Sequence, residues 1–167
     1  MKRFKYIAIV SLLSCSKKED DKPTPPTQLK TVAETKVDTY TVRLQNTSGT
    51  FVMGYNDVTL SVTDATGKEV DLQAATFTPW MEMYKGDGKG GFSKEIMHTH
   101  TCPHTALAKE GNVWKSQVLF QMMTAPSGVW FGTITFRAAG KDYEYKRLDF
   151  EVKPQTNKAL GTVNRFK

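Results

Sequence analysis

The three histidines of this chain and its second cysteine lie in one short segment. They are spaced by two residues, as His98, His100, Cys102 and His104. Alternate side chains of an extended strand point to the same face of a sheet, so this spacing predicts imidazole and thiol groups on one face. Imidazole and thiolate groups are common protein ligands of transition metals, and the segment therefore predicts a metal site.

Methionines accompany this segment. Met81 and Met83 repeat the spacing of two, and Met97 directly precedes His98. The glycine-rich stretch 86–91 between the two groups would let the chain loop back, bringing them together. Thioether and thiolate ligands select Cu(I), while imidazole suits copper, zinc and nickel, so the mixture favours copper as Cu(I). Zinc held by a cysteine and three histidines is the alternative, but it gives the methionines no role.

The same residue types have a plainer interpretation, because methionines in strands often only fill a core. That interpretation is strongest for Met53, and it is weaker for Met81 and Met83, which flank a polar glycine-rich loop. Enzymatic chemistry is not expected. The sequence has no paired carboxylates at suitable spacing, no nucleophile elbow and no cofactor fingerprint. Its glycine-rich stretch lacks the Lys-Ser/Thr ending of a phosphate-binding loop.

The N-terminus has the layout of a secretory signal. A basic start containing Lys2, Arg3 and Lys5 precedes a short apolar run at 6–13, which is too short to span a bilayer. The tetrad Leu-Leu-Ser-Cys at 12–15 resembles the lipobox of bacterial lipoproteins. The resemblance implies a signal peptide at 1–14 and a lipid on the cysteine, Cys15, as the membrane anchor.

A charged, proline-rich linker is predicted at 15–33. Its acidic cluster, Glu19-Asp20-Asp21, is similar to the surface-export signal of Bacteroidota lipoproteins, which implies the outer membrane and its outward face. A solvated tether is the alternative interpretation of this charge run. The proline tract at 23–26 is typical of an extended spacer that holds a domain away from the membrane.

Removal of the signal peptide changes the charge and the cysteine count. The formal charge of +6 falls to +3, because three of the 23 basic residues are lost and the 17 acidic residues remain. The remaining domain is nearly neutral and has no patch of basic residues interleaved with aromatic ones. Nucleic acid is therefore not expected as a partner. With Cys15 lipidated, Cys102 has no disulfide partner within the chain.

Apolar residues alternate with polar ones along most of the remaining chain, which predicts β-strands separated by turns. The clearest alternations are at 40–44, 58–62, 70–72, 74–80, 114–122, 130–136 and 143–152. The parity slips between Tyr145 and Leu148, which predicts a bulge. About seven strands predict one immunoglobulin-like antiparallel β-sandwich at 34–155, followed by a polar tail at 156–167.

The sequence resembles the YtkA-like domain family, copper-linked immunoglobulin-like sandwiches, between residues 37 and 152. The resemblance rests on short motifs: Pro-Trp-Met-Glu-Met at 79–83, Met-His at 97–98 with Pro103, Phe-Gln-Met-Met at 120–123 and Gly-Val-Trp at 128–130. Cys102 and His104 are additional to the family pattern, and the glycine-rich loop is long. The resemblance implies copper binding or trafficking in an all-β sandwich.

Two functions are therefore expected. The first is a lipid-anchored, extracytoplasmic Cu(I)-binding protein that exchanges metal with an unidentified protein partner. Its expected ligands, in order of preference, are Met97, His98 and Met83, then His100 and Met81, then Cys102 and His104. Trp80 is expected to cover the site. The alternative is a surface-exposed immunoglobulin-like interaction or structural module that binds no metal.

Overall fold

A computed structural model describes residues 28–155; the predicted signal peptide, most of the linker and the C-terminal tail lie outside this range. Within it the chain is all-β. The strands are β1 (Lys30–Val37), β2 (Tyr40–Asn46), β3 (Phe51–Val52), β4 (Gly54–Thr63), β5 (Ala74–Gly86), β6 (Phe92–Thr101), β7 (Ala108–Glu110), β8 (Val113–Phe120), β9 (Gly128–Ala138), β10 (Lys141–Phe150) and β11 (Val152–Lys153). No helix in this range is both long and apolar enough to cross a membrane.

Two antiparallel sheets pack face to face. The first has five strands in the order β1-β2-β4-β8-β7, and the second has four in the order β10-β9-β5-β6. The short strands β3 and β11 form a parallel pair beside them. Rings from both sheets meet between the layers, as in the edge-to-face contact of Phe120 and Trp130 with centroids 5.0 Å apart. The predicted antiparallel β-sandwich is confirmed.

The core follows the alternation in the sequence. On β8, Val118 and Phe120 are buried while Gln117 is exposed and Leu119 is half-buried, and on β9 Trp130, Ile134 and Phe136 are buried. Each such side chain stabilises the fold by about 1.5–3 kcal/mol when it leaves water. The register along β9 and β10 shifts between Tyr145 and Leu148, as the change of parity predicts.

Two elements differ in extent from the prediction. Strand β1 begins at Lys30, inside the predicted linker. Lys30 pairs with Asn46, the last residue of β2, so the pairing extends the strand although one of its faces remains exposed to solvent. Strand β8 ends at Phe120, so Met122 is exposed and does not continue the buried face. Segment 70–72 forms no strand. The turn before it is present, with Asp64 N donating to Lys68 O at 2.9 Å.

Strand β5 is longer than predicted. It continues through Met81 and Met83 to Gly86, because β9 pairs with it as far as Met83 and β6 pairs with it on the other side. The predicted glycine-rich loop is thus the tip of a long β5–β6 hairpin. This change places Met81 and Met83, which were predicted to flank the loop, within a central strand.

The methionines gather at one end of the sandwich. Strand β4 begins here opposite the end of β8, with Gly54 paired to Phe120, and β9 begins here opposite Met83. All six methionines of residues 28–155 lie in the segments that meet here. They are Met53, Met81, Met83, Met97, Met122 and Met123. We call this the methionine end; it is also the end at which β1 starts, because Lys30 pairs with the last residue of β2.

Candidate metal centre

The core of the candidate site is a pair of cross-strand contacts between β5 and β6. Met81 lies directly opposite His100, and Met83 lies directly opposite His98. Directly opposed side chains of an antiparallel pair share one face and stand about 4.5–5.5 Å apart at Cβ. Two thioethers and two imidazoles therefore occupy adjacent positions on one face.

The neighbouring strand β9 leaves room for the two thioethers. Gly128 is the cross-strand partner of Met83. A Cβ on Gly128 would lie 2.8 Å from Met83 Sδ, 2.9 Å from Met81 Cε and 2.7 Å from the carbonyl oxygen of Glu82. Real side chains do not approach this closely, so glycine is the residue that lets both methionine ends lie side by side.

Trp130 forms the floor beneath His100. It is buried opposite Met81, and its ring centroid is 6.3 Å from that of His100 at a steep angle. Its Nε1 donates to the carbonyl of Met122 at 3.0 Å, which ties the β8–β9 loop to the site. A buried indole with a satisfied N–H is a rigid wall.

The two histidine rings are aligned. Their centroids are 5.6 Å apart and their planes differ by 30°. Nδ1 of His100 lies 3.2 Å from the carbonyl oxygen of Thr101 and donates to it. A ring held in this way by a backbone carbonyl keeps its Nε2 lone pair for a metal, the usual arrangement of histidine ligands.

Burial across the site is graded. Met81 is fully buried, Met83 and His100 are partly buried, and His98 is exposed. The donors thus run from the core to the surface along two strands. A metal would reach the site from the His98 side.

Met97 departs from the alternation. The register shifts between the pair Met83–His98 and the pair Tyr84–Ile96, so Met97 is the extra residue of a β-bulge and has no cross-strand partner. Its side chain is exposed. Bulges redirect side chains and occur often beside functional sites. The sequence predicts that Met97 and His98 bind the same metal. The direction of the Met97 side chain depends on the local geometry of the bulge, because the alternation along the strand does not fix it there.

Cys102 lies on the core side of the site. It is buried among apolar residues, and this burial raises the pKa of its thiol to about 12. A thiol in that state is protonated at neutral pH, and the thiolate is the form that binds metals. Cys102 thus serves as a core residue here.

His104 is carried away from the other histidines. The chain leaves β6 at Thr101 and crosses to the other sheet, where His104 pairs with Val118 of β8. Its Nδ1 donates to the carbonyl of Cys102 at 2.8 Å. In residues 28–155 no three side chains among His, Cys, Asp and Glu converge as a metal-binding group. Of the four donors predicted on one face of the strand, only His98 and His100 therefore remain together.

The remaining donors fit a soft metal. Two thioethers and two imidazoles match the preference of Cu(I), and the strand register places them at adjacent positions on one face. The zinc alternative needed Cys102 with three histidines, and that set is not assembled. The donors that fit are Met81, Met83, His98 and His100.

Two other residues, Gly128 and Trp130, shape the site, and the sequence alone did not predict these roles. Trp80 was expected to cover it, but Trp80 pairs with Thr101 and Phe131 and so faces the other side of the sheet from Met81. Gly128 instead leaves room for the methionine side chains, and Trp130 packs beneath His100. Their Gly-Val-Trp spacing was visible in the sequence, but their position beside β5 depends on a long-range strand pairing.

The proteins and structures already known give no direct guide. No protein-family model, curated protein or solved structure matches this chain. The likeness to YtkA-like domains stays a prediction from the motifs.

Proposed function

We propose that this protein is an extracytoplasmic, lipid-anchored copper-binding protein that carries Cu(I) on a methionine–histidine site at one end of a β-sandwich. The observation that carries the proposal is the β5–β6 register, in which Met81 faces His100 and Met83 faces His98. The ligands would be these four side chains. Cu(I) is the metal that this donor set prefers.

The graded burial of the donors suits a carrier. Met81 and the Trp130 wall keep one side of the site dry, and His98 stays accessible at the surface. A partner can approach an exposed imidazole and exchange ligands stepwise. The proposal includes no catalytic step.

The membrane anchor is proposed from the sequence alone, since Cys15 lies outside the described residues. Labelled palmitate should be incorporated into the wild-type protein in cells and lost in Cys15→Ala. Incorporation into the variant would contradict this part of the proposal. Outer-membrane residence, with exposure at the cell surface, follows from the similarity of the acidic cluster to export signals, and protease shaving of intact cells tests it.

A Cu(I) competition titration tests the metal site. The purified protein should bind one Cu(I), and His98→Ala and Met83→Leu should each weaken binding at least tenfold, about 1.4 kcal/mol. His104→Ala and Met53→Leu are matched controls, because they remove the same groups outside the four-donor set; both should bind like wild type. Equal affinity of all four variants would exclude this site.

The alternative function is an interaction or structural module without metal. Its support is a group of exposed apolar side chains at the methionine end, including Phe92 and Ile96. A ligand that binds only the folded state raises the melting temperature. Under the copper proposal, Cu(I) raises it in wild type and not in His98→Ala. If Cu(I) leaves the melting temperature of both proteins unchanged, the module without metal is favoured.

A further inference from the structure

A β-hairpin arm projects from the methionine end. Strand β5 pairs with β9 only as far as Met83, whereas its pairing with β6 continues to Gly86 and Phe92. Residues 84–97 therefore continue as two strands past the end of β9, attached at their base by the hydrogen bond from Tyr84 N to Ser127 O at 2.8 Å, and we call them the arm. At about 3.3 Å per residue, the tip stands about 15 Å beyond the candidate metal donors.

The tip of the arm is ordered by its own hydrogen bonds. Asp87 Oδ1 accepts from the backbone N–H of Lys89 at 2.8 Å and of Gly91 at 2.9 Å. These bonds lower the pKa of the Asp87 carboxyl. Two-stranded hairpins are marginally stable in water unless something covers them. The arm is thus a formed but uncovered element.

Apolar side chains are exposed along the arm and beside it. Phe92 is 47% exposed and Ile96 is 50% exposed, with Lys94 between them on the same strand. Within residues 28–155 all the large apolar side chains with high exposure belong to this end. They are Tyr55, Phe92, Ile96, Met97, Met122 and Met123. Of these, Phe92 and Ile96 lie together along one groove, and exposed apolar side chains grouped in this way mark an interaction site.

A groove lies where the arm joins the sandwich. It has a volume of about 510 Å³, with apolar surface from Tyr84, Phe92, Ile96 and Pro126 and polar surface from Glu82, Ser93, Lys94 and Arg147. Arg147 is neutralised there by its ion pair with Glu82, so Lys94 is the groove cation that can meet an anionic headgroup. Lys89 and Lys94 make no ion pair with any residue of the described range.

The position of the chain start identifies the surface that this end meets. Strand β1 begins at the methionine end, at Lys30, and the proposed lipid on Cys15 is fifteen residues earlier. Even a fully extended chain of that length spans only about 50 Å. The tether therefore keeps the domain within about 50 Å of the bilayer, and a short tether raises the effective concentration to about the millimolar range, so weak contacts suffice.

We infer that the methionine end docks on a lipid bilayer surface, with Phe92 and Ile96 of the arm entering the interface and Lys89 and Lys94 at the headgroups. Aromatic and aliphatic side chains beside lysines are the composition that partitions to this region. The inference rests on the proposed anchor and is independent of copper binding. It leaves His98, which is two residues from Ile96, about 7 Å from the interface, where a metal can still exchange.

Fluorescence quenching in vesicles tests the docking. The lipidated full chain is reconstituted into phosphatidylethanolamine–phosphatidylglycerol vesicles that carry a doxyl quencher on the acyl chains. An environment-sensitive label is placed through Lys89→Cys at the arm tip or, as the matched control, through Lys68→Cys in the turn at the opposite end. Cys15 carries the lipid and Cys102 is buried, so the introduced thiol takes the label.

The label at position 89 should be quenched at least threefold more strongly than the label at position 68. Adding Phe92→Ser and Ile96→Ser should abolish that difference while Cu(I) affinity stays at the wild-type value. Equal quenching at both positions, or a difference that survives the two serines, overturns the inference. A chain that fails to float with the vesicles overturns the anchor and the docking together, and leaves the copper site to its own titration.

Discussion

Met83 on β5 and His98 on β6 are direct cross-strand partners, and the residue before His98, Met97, is left unpaired by a bulge. This pair stands at the last position where β5 has neighbours on both sides, since Met83 also faces Gly128 on β9. One thioether and one imidazole are thus fixed by three strands. Beyond them, only the two strands of the arm continue.

Met83 and His98 should act on copper as a unit. Met83→Leu and His98→Ala each remove one ligand from the same ion, so the loss of Cu(I) affinity in the double variant should differ from the sum of the single losses by about 0.5–3 kcal/mol. A double-mutant cycle by competition titration measures this. The cycle of Met53→Leu with His98→Ala serves as control and should be additive; additivity in both cycles would separate Met83 from the site.

Gly128→Ala should disturb the site through packing. The new Cβ would collide with the Glu82 carbonyl oxygen and with both methionine ends, all within 3 Å. We expect a loss of about 1–3 kcal/mol in the free energy of unfolding, together with weaker Cu(I) binding. Gly86→Ala is the matched control, because the nearest heavy atom to its Cβ is 3.9 Å away. Denaturant unfolding compares the two variants. If Gly128→Ala unfolds with the same free energy as wild type, the predicted steric clash at its Cβ is wrong.

Cys102 should be inert and dispensable for copper. Burial raises its pKa to about 12 from 9.0, so at pH 8 its thiolate fraction is about a thousandfold below that of an ordinary thiol. A disulfide reagent should react with it only after unfolding. Cys102→Ala should cost stability but keep Cu(I) affinity. Rapid labelling of the native protein at pH 8 would argue against the buried, protonated thiol.

Cys102 also gives the stability of the protein a defined alkaline dependence. Because the folded pKa is raised, its contribution is present in full below about pH 9 and is lost as the pH rises toward 12. The fall in unfolding free energy between pH 9 and 11 should therefore be smaller in Cys102→Ala than in wild type. Chemical denaturation at each pH measures this, and between pH 7 and 8 the unfolding free energies of the two proteins should change in parallel.

Arg147 should stabilise the outer face of the second sheet through Glu82. Glu82 is 8% exposed and forms an ion pair with Arg147, whose pKa is raised mainly by this hydrogen bond. Arg147→Met leaves a buried carboxylate unpaired and should cost about 1–3 kcal/mol, toward the lower value because the arginine is 40% exposed.

The matched control for that prediction is Arg137→Met. Arg137 pairs with Asp142 at 2.7 Å on an exposed surface, where solvent screens such a pair and it contributes little to stability. Unfolding in urea should rank Arg147→Met as clearly less stable than Arg137→Met. The same loss in both variants would mean that the Glu82 ion pair is as weak as a surface pair.

The sequence by itself determined the fold class and most of the strands. The alternation at Val118 and Phe120 predicts the buried face of β8, and the parity slip before Leu148 predicts the bulge opposite β9. These features are local, because one strand needs only its own pattern of apolar residues to choose a buried face. The sequence also supplied the residue types from which a soft-metal site was predicted.

Only the tertiary structure decided which donors are neighbours. The spacing of two residues predicts that His98 and His104 point to the same face. The chain instead crosses after Thr101 and carries His104 to the other sheet. The meeting of Met83 with His98, and the room for it beside Gly128, depends on the register of three strands far apart in the chain. Register follows from cross-strand packing, which no single segment encodes.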